Sequence, residues 1–153
     1  MRLAHLHRAV QTTLASKRLG KPVFVRYTLQ GQDKAENISA RLAQITAVVR
    51  QWLGQSVERV YALGSIETGQ VSLTLQFKDG ATALVSYARG QRDGADVMAL
   101  GNHGALYHDA GNGNQWDDVA MDLQNRPDAA LQAFIERAIG SGKPEPVVAE
   151  GQP

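Results

Sequence analysis

The spacing of apolar residues changes along this chain, and each change predicts an element. In the first segment Leu3, Leu6, Val10 and Leu14 fall near helical spacing, and Gly20 and Pro22 stop the helix. PVFVRYTLQ, from Pro22, is rich in β-branched and aromatic residues and reads as a strand. Gly31 to Glu36 are polar and loop-like. The clearest helix is ISARLAQITAVVRQWLG, where Ile38, Leu42, Ile45, Val49 and Trp52 make one stripe. Asn37 is placed to cap its start and Gly54 to end it.

After Gly54 the period drops from 3.6 to 2. VERVYALGSI, VSLTLQF and ATALVSYARG predict three strands. In the second, Val71, Leu73, Leu75 and Phe77 point one way while Ser72, Thr74 and Gln76 point the other, so the sheet has one buried and one more polar face. Asp79-Gly80 predicts a tight hairpin turn with positive φ. ADVMALG and ALYHDAG predict two more strands. Gly101 and Gly104 bracket the turn between them, and Gly111 and Gly113 the next; all are expected to use positive φ. The segment from Gln115 to Arg126 fits helix and strand equally badly. Pro127 suits the first turn of a last helix, DAALQAFIERAIG, whose apolar face is Leu131, Phe134, Ile135, Ala138 and Ile139 and which Gly140 ends. Hairpin-linked strands with helices gathered on one face predict an α+β domain: an open, mainly antiparallel sheet with helices packed on one side. A single domain over residues 1–143 and an extended tail over 144–153 follow.

Composition narrows the function classes. The chain has 153 residues, 43% apolar and 20% charged, with a net charge of +1. Lys and Arg are scattered rather than striped, so no nucleic-acid partner is expected. Cysteine is absent, which excludes disulfides and thiolate chemistry. His5, His7 and Arg8 interrupt the N-terminal apolar residues, which makes a poor signal peptide, and no run is long enough to span a membrane. A cytoplasmic protein without membrane partners is expected.

The densest chemistry lies in GNHGALYHDAGNGN, residues 101–114. Gly111-Asn112-Gly113 lacks the third glycine and the following helix of a dinucleotide fingerprint, and hairpin turns demand the same residues. His103 and His108 are five apart, which on an extended segment sends them to opposite faces. His5 and His7 do not share a helical face. No third ligand has metal-site spacing, and no nucleophile elbow occurs. Catalytic, metal and cofactor residues are therefore expected to be none. Thr82, Leu84, Ser86 and Ala88 form a mixed sheet face, either solvated or used against another protein.

Four strings, in order, carry a family resemblance. LASKRLGKPVFVRY, VSLTLQFKDGATALVSYA, ALGNHGALYHDAG and DAALQAFIERAIGSGKPEPV together resemble the C-terminal domain of the glucose–fructose oxidoreductase, inositol dehydrogenase and MocA (Gfo/Idh/MocA) family. The resemblance begins almost at Met1, where the family's NAD(P)-binding Rossmann domain would have finished. The family's glycine fingerprint and EKP lysine are missing. Its helical His and Asp fall at Gln44 and Ala47, and no His or Asp occurs in Ile38–Gly54. A glutamine can hydrogen-bond but cannot shuttle a proton at neutral pH. The resemblance thus implies a domain that is not catalytic alone and binds no cofactor alone, serving as an oligomerisation or partner-binding module. As alternatives it implies the substrate half of a split NAD(P)-dependent oxidoreductase with a separate Rossmann-domain partner, or a binder of sugar-like small molecules. In those readings Arg26, Tyr27, Gln44, Tyr87 and Arg89 line the ligand site. As a module it is expected to form a homo-oligomer, with Thr82, Leu84, Ser86 and Ala88 at the interface.

Overall fold

The structure, a computed structural model, describes residues 3–109 and 128–147. Its described elements run α1 (Leu3–Ala15), β1 (Pro22–Gly31), α2 (Ala35–Leu53), β2 (Val57–Ser65), β3 (Gln70–Phe77), β4 (Thr82–Arg89), β5 (Gly94–Gly101), β6 (Ala105–Asp109), α3 (Ala129–Ser141) and β7 (Glu145–Pro146). The strands form one open sheet in the order β6-β5-β1-β4-β3-β2-β7. Every neighbouring pair is antiparallel except β1 with β4. The α+β class and the mainly antiparallel sheet stand.

The place of β1 differs from a run of simple hairpins. ATALVSYARG and ADVMALG do not pair with each other, because β1 lies between β4 and β5. A parallel pair needs a crossover, and α2 with the β2–β3 hairpin supplies it. The link from β4 to β5 then passes over the end of β1, where Gly90 N–H donates to the Gly31 carbonyl. A β-carbon on Gly90 would meet only the far end of the Gln30 side chain, which would have to move aside.

Alternation then sorts the side chains. Val25, Tyr27 and Leu29 of β1 share a face with Ala83, Val85 and Tyr87 of β4, Val71, Leu73, Leu75 and Phe77 of β3, and Ala95, Val97 and Ala99 of β5. All of these are buried. The helices cover this face. From α2 come Ile38, Leu42, Ile45 and Val49, from α1 Leu3, Leu6 and Val10, and from α3 Leu131, Ile135 and Ala138. Phe134 is only half-buried, with the Arg137 guanidinium 4.3 Å from its ring centre.

Several boundaries move. Helix α2 begins a turn before Ile38, with extended Lys34 at the N-cap and no side-chain cap; Asn37 lies inside the helix. The early start puts the Glu36 carboxylate in the first turn, where the helix dipole favours it. Gly54 ends α2 as expected, left-handed at φ 63°, its N–H bonding the Arg50 carbonyl. Helix α3 runs past Gly140 and stops at left-handed Gly142. Asp128 caps its start by accepting from the N–H groups of Ala130 and Leu131. Pro127 lies outside the described residues, as do Gln115–Arg126, Gly111 and Gly113. Of the described glycines expected to mark strand turns, Gly80 of the β3–β4 turn takes positive φ, at 87°. Gly101 and Gly104 do not need it. Gly101 is required instead by close approach, since a β-carbon would collide with the Leu19 carbonyl. The described part of the tail is extended, and Glu145–Pro146 pairs with Arg59 and Val60 of β2.

Two substitutions separate the real helix caps from the apparent one. Asp128→Ala loses the α3 cap and is expected to cost about 1 kcal/mol, lowering Tm by about 2–4 °C. Asn37→Ala, inside α2, is expected to leave thermal unfolding unchanged or slightly raised. A drop for Asn37→Ala as large as that for Asp128→Ala would refute this placement of the caps.

Candidate functional site

Consecutive strand residues face opposite ways, and this divides the expected ligand residues. Arg26 lies on the helix-free face of the sheet and Tyr27 on the helix-covered face. Tyr87 lies on the covered face beside Leu29, and Arg89 ends the same strand, exposed and packed against Gly69. Gln44 lies on the outer side of α2, half-buried. The five residues therefore do not converge on one cavity.

Two polar clusters form on the covered side instead. In the first, the Tyr87 hydroxyl accepts from the Asp33 backbone N–H at 3.0 Å. The Asp33 carboxylate pairs with Arg41 Nε at 3.1 Å, and Arg41 Nη1 donates to Gln44 Oε1 at 3.3 Å. Tyr87 and Gln44 are thus linked through Asp33 and Arg41. Burial raises the Tyr87 phenol above its ordinary pKa, and the Asp33 N–H bond works against the rise.

The second cluster joins α1, β1 and α2. The Tyr27 hydroxyl and His7 Nε2 are 2.8 Å apart. The Tyr27 ring stacks on Trp52 with centroids 5.9 Å apart and 15° between planes. His7 meets both rings edge-on, at 5.7 and 5.6 Å. Such contacts orient rings as well as bury them. Burial drives the Tyr27 phenol far above its ordinary pKa, so it stays protonated.

Beside this cluster a groove of about 420 Å³ opens between α1 and α2. Its lining includes His7, Arg8, Gln11, Val48, Gln51 and Trp52, and no carboxylate. One cation, an imidazole and two amides over an indole suit a small anionic or hydroxylated molecule.

Sequence reasoning passed over Asp33 and Arg41, and weighed His7 only as a metal ligand. His7 had a signal, being four residues after Leu3 and three before Val10, on the buried stripe of α1. His5 faces solvent, as the lack of a shared face implies. His108 of β6 shares the covered face with Val97, and its Nε2 is buried without a hydrogen-bond partner among the described residues. His103 is exposed in the β5–β6 turn. No cluster of three or more His, Cys, Asp or Glu suits a metal ion among the described residues. Thr82, Leu84, Ser86 and Ala88 all lie on the helix-free face, with Ser86 Oγ 2.9 Å from Ser72 Oγ.

The raised phenol has a consequence at high pH. Unfolded tyrosine loses its proton near pH 10, while buried Tyr27 keeps it. The contribution of Tyr27 is complete below about pH 10 and declines above it, by up to about 1.4 kcal/mol per pH unit. Denaturant unfolding of Tyr27→Phe is therefore expected to show a shallower alkaline loss of stability than the parent. Parallel curves would contradict the burial of this hydroxyl.

No protein-family model matches the sequence, and no curated protein matches it by sequence. Solved structures do match in fold. A protein assigned as a myo-inositol dehydrogenase, from Sinorhizobium meliloti 1021, is 15% identical with a TM-score of 0.72, over 93% of this chain and 62% of its own. An NAD binding oxidoreductase from Klebsiella pneumoniae is 15% identical with a TM-score of 0.66, over 94% and 63%. A scyllo-inositol dehydrogenase from Lactobacillus casei, with bound NAD(H) and scyllo-inositol, is 14% identical with a TM-score of 0.56, over 88% and 49%. This chain covers less than two thirds of each of the three. No helix among the described residues is long and apolar enough to cross a membrane. The open α+β architecture is shared with part of these dehydrogenase and oxidoreductase structures.

Proposed function

We propose that the chain is an oligomerisation or partner-binding module on an oxidoreductase C-terminal-domain fold, without catalysis of its own. The observation carrying this reading is the helix-free sheet face. It presents Leu63 at 56% and Tyr107 at 67% exposure, among half-buried Phe24, Leu84, Met98 and Leu100. A broad, partly apolar sheet face is costly to leave in water and marks an association surface. Thr82, Leu84, Ser86 and Ala88 belong to it. Sedimentation of the purified chain is expected to give at least twice the monomer mass, and Leu84→Glu is expected to return it to monomers. A monomer at every concentration, unchanged by Leu84→Glu, would refute self-association.

A second reading is favoured by the cofactors named for the solved neighbours, which include NAD(H). Here the chain supplies the substrate-binding part of an NAD(P)-dependent sugar or polyol oxidoreductase, and a separate Rossmann-domain chain supplies the cofactor. The groove beside His7 and Trp52 and the Tyr87–Gln44 cluster are the covered-side places for a hydroxylated ligand. Thermal shift against polyols and sugar acids tests this part, since ligand at 100 times its Kd adds about 2.7 kcal/mol. A flat response across the panel argues against ligand binding by this chain.

A further inference from the structure

Charge is divided unevenly along this chain. The first 32 residues hold six Lys and Arg and no Asp or Glu, while the remainder holds ten of the former and fifteen of the latter. Helix α1 lies wholly in the basic part and contains no acidic residue. Several cations are neutralised within the fold. Arg26 pairs with Asp96 on the far side of the sheet at 3.3 Å, and Lys21 with Asp79 at 3.3 Å. Arg41 and Arg50 of α2 pair with Asp33 at 3.1 Å and Asp128 at 3.6 Å. The Arg8 guanidinium of α1 has no such partner among the described residues. It is exposed on the wall of the groove between α1 and α2, whose lining holds no carboxylate.

The groove gives this cation a setting. Arg8, Gln11 and Ala15 recur at intervals of three and four, so they form one wall along α1. Val48 and Trp52 of α2 line the same groove and are only 4% and 6% exposed, so they form its floor. That floor is held in place before any ligand arrives. The Trp52 ring stacks on Tyr27, and His7, 2.8 Å from the Tyr27 hydroxyl, meets the indole edge-on. Polar groups therefore gather toward the Arg8 end, and apolar surface runs from there toward Ala15.

We propose that this groove binds a small carboxylate with an apolar body, the carboxylate on Arg8 and the body along Val48 and Trp52 toward Ala15. The proposal rests on the ligand-binding reading of the groove given above, but it names a different ligand class and needs no Rossmann-domain partner. A guanidinium grips a carboxylate with two parallel hydrogen bonds, and the Gln11 amide one turn on is placed to donate a third. A neutral polyol would leave Arg8 without a counter-charge and set its hydroxyls against Val48 and the indole, where burial without a partner is costly. Size agrees. Seven residues of helix separate Arg8 from Ala15 by about 10 Å, which suits an aromatic ring joined to its carboxylate by a short chain. The volume of about 420 Å³ lies within the range of small-molecule sites, about 300–1,000 Å³.

Titration calorimetry of the full chain with 3-phenylpropionate tests the proposal. Saturable binding is expected, weakening as salt rises. Its neutral amide, which lacks the charge, and inorganic phosphate, which lacks the apolar body, are expected not to bind. Arg8→Gln is expected to weaken binding about tenfold or more, and Arg8→Lys, which keeps the charge but not the fork, by less. Ala15→Phe fills the far end without altering charge and is expected to weaken binding as well. Both positions are exposed, and circular dichroism checks that each variant folds; if one does not, the other and the salt dependence decide. Trp52 is one of two tryptophans, so Trp116→Phe leaves it as the sole indole, and its fluorescence is expected to change on binding. No binding of the carboxylate, equal binding of the amide, or an affinity unchanged in a folded variant at Arg8 or Ala15 overturns the proposal. Polyols that raise Tm while 3-phenylpropionate does not would overturn it and leave the hydroxylated-ligand reading standing. Carboxylate binding with a flat polyol panel would do the reverse.

Discussion

The period-two alternation of the sheet, held in register by β1, is the constraint from which the remaining structure follows. Strand β1 pairs with β4 on one side and β5 on the other, and both registers run unbroken from Phe24 to Gln30. A slip by one residue would send Val25, Tyr27 and Leu29 to solvent and Arg26 into the core. Charge burial without compensation makes that slip prohibitive. Because β1 is fixed, the cover of helices and the bare face are fixed with it. The aromatic cluster under α1 and the ion pair on the far side are consequences of two adjacent residues, Tyr27 and Arg26.

Most elements were legible because their signals are local. The α2 stripe, the alternation of β3 and the Gly80 turn need only neighbouring residues to read. The position of β1 was not legible, since nothing inside PVFVRYTLQ says which strands will flank it. The start of α2 was misjudged because Asn37 is a good cap by type, whereas the chain enters the helix at Lys34 without a side-chain cap. Gly101 was correctly marked as special, but for the wrong reason. Crowding by the Leu19 carbonyl comes from a residue remote in the chain, and only the fold brings it there.

The candidate site was less legible than the fold. Setting Arg26 and Tyr27 in one pocket conflicts with the alternation that identified their strand. Gln44 and Tyr87 do belong to one polar cluster, though their link runs through Asp33 and Arg41. Asp33 sits between β1 and α2, where no periodicity constrains it. His7 was readable from its spacing to Leu3 and Val10. The four residues expected on the mixed face do share it, since that expectation used only alternation within β4.

The central place of β1 also sets an order of events in folding. Its residues are made early, but their hydrogen-bonding partners begin at Thr82 and Gly94. Until those strands exist, β1 has two open edges and an apolar face, and no local hairpin can shelter it. Strands β2 and β3 are made in the meantime but pair with neither edge of β1, while α1 and α2 cover its face without satisfying its backbone. Long-range pairing of this kind slows folding and exposes aggregation-prone edges along the way. The strand that organises the finished sheet is thus the one that waits longest for a first neighbour during synthesis.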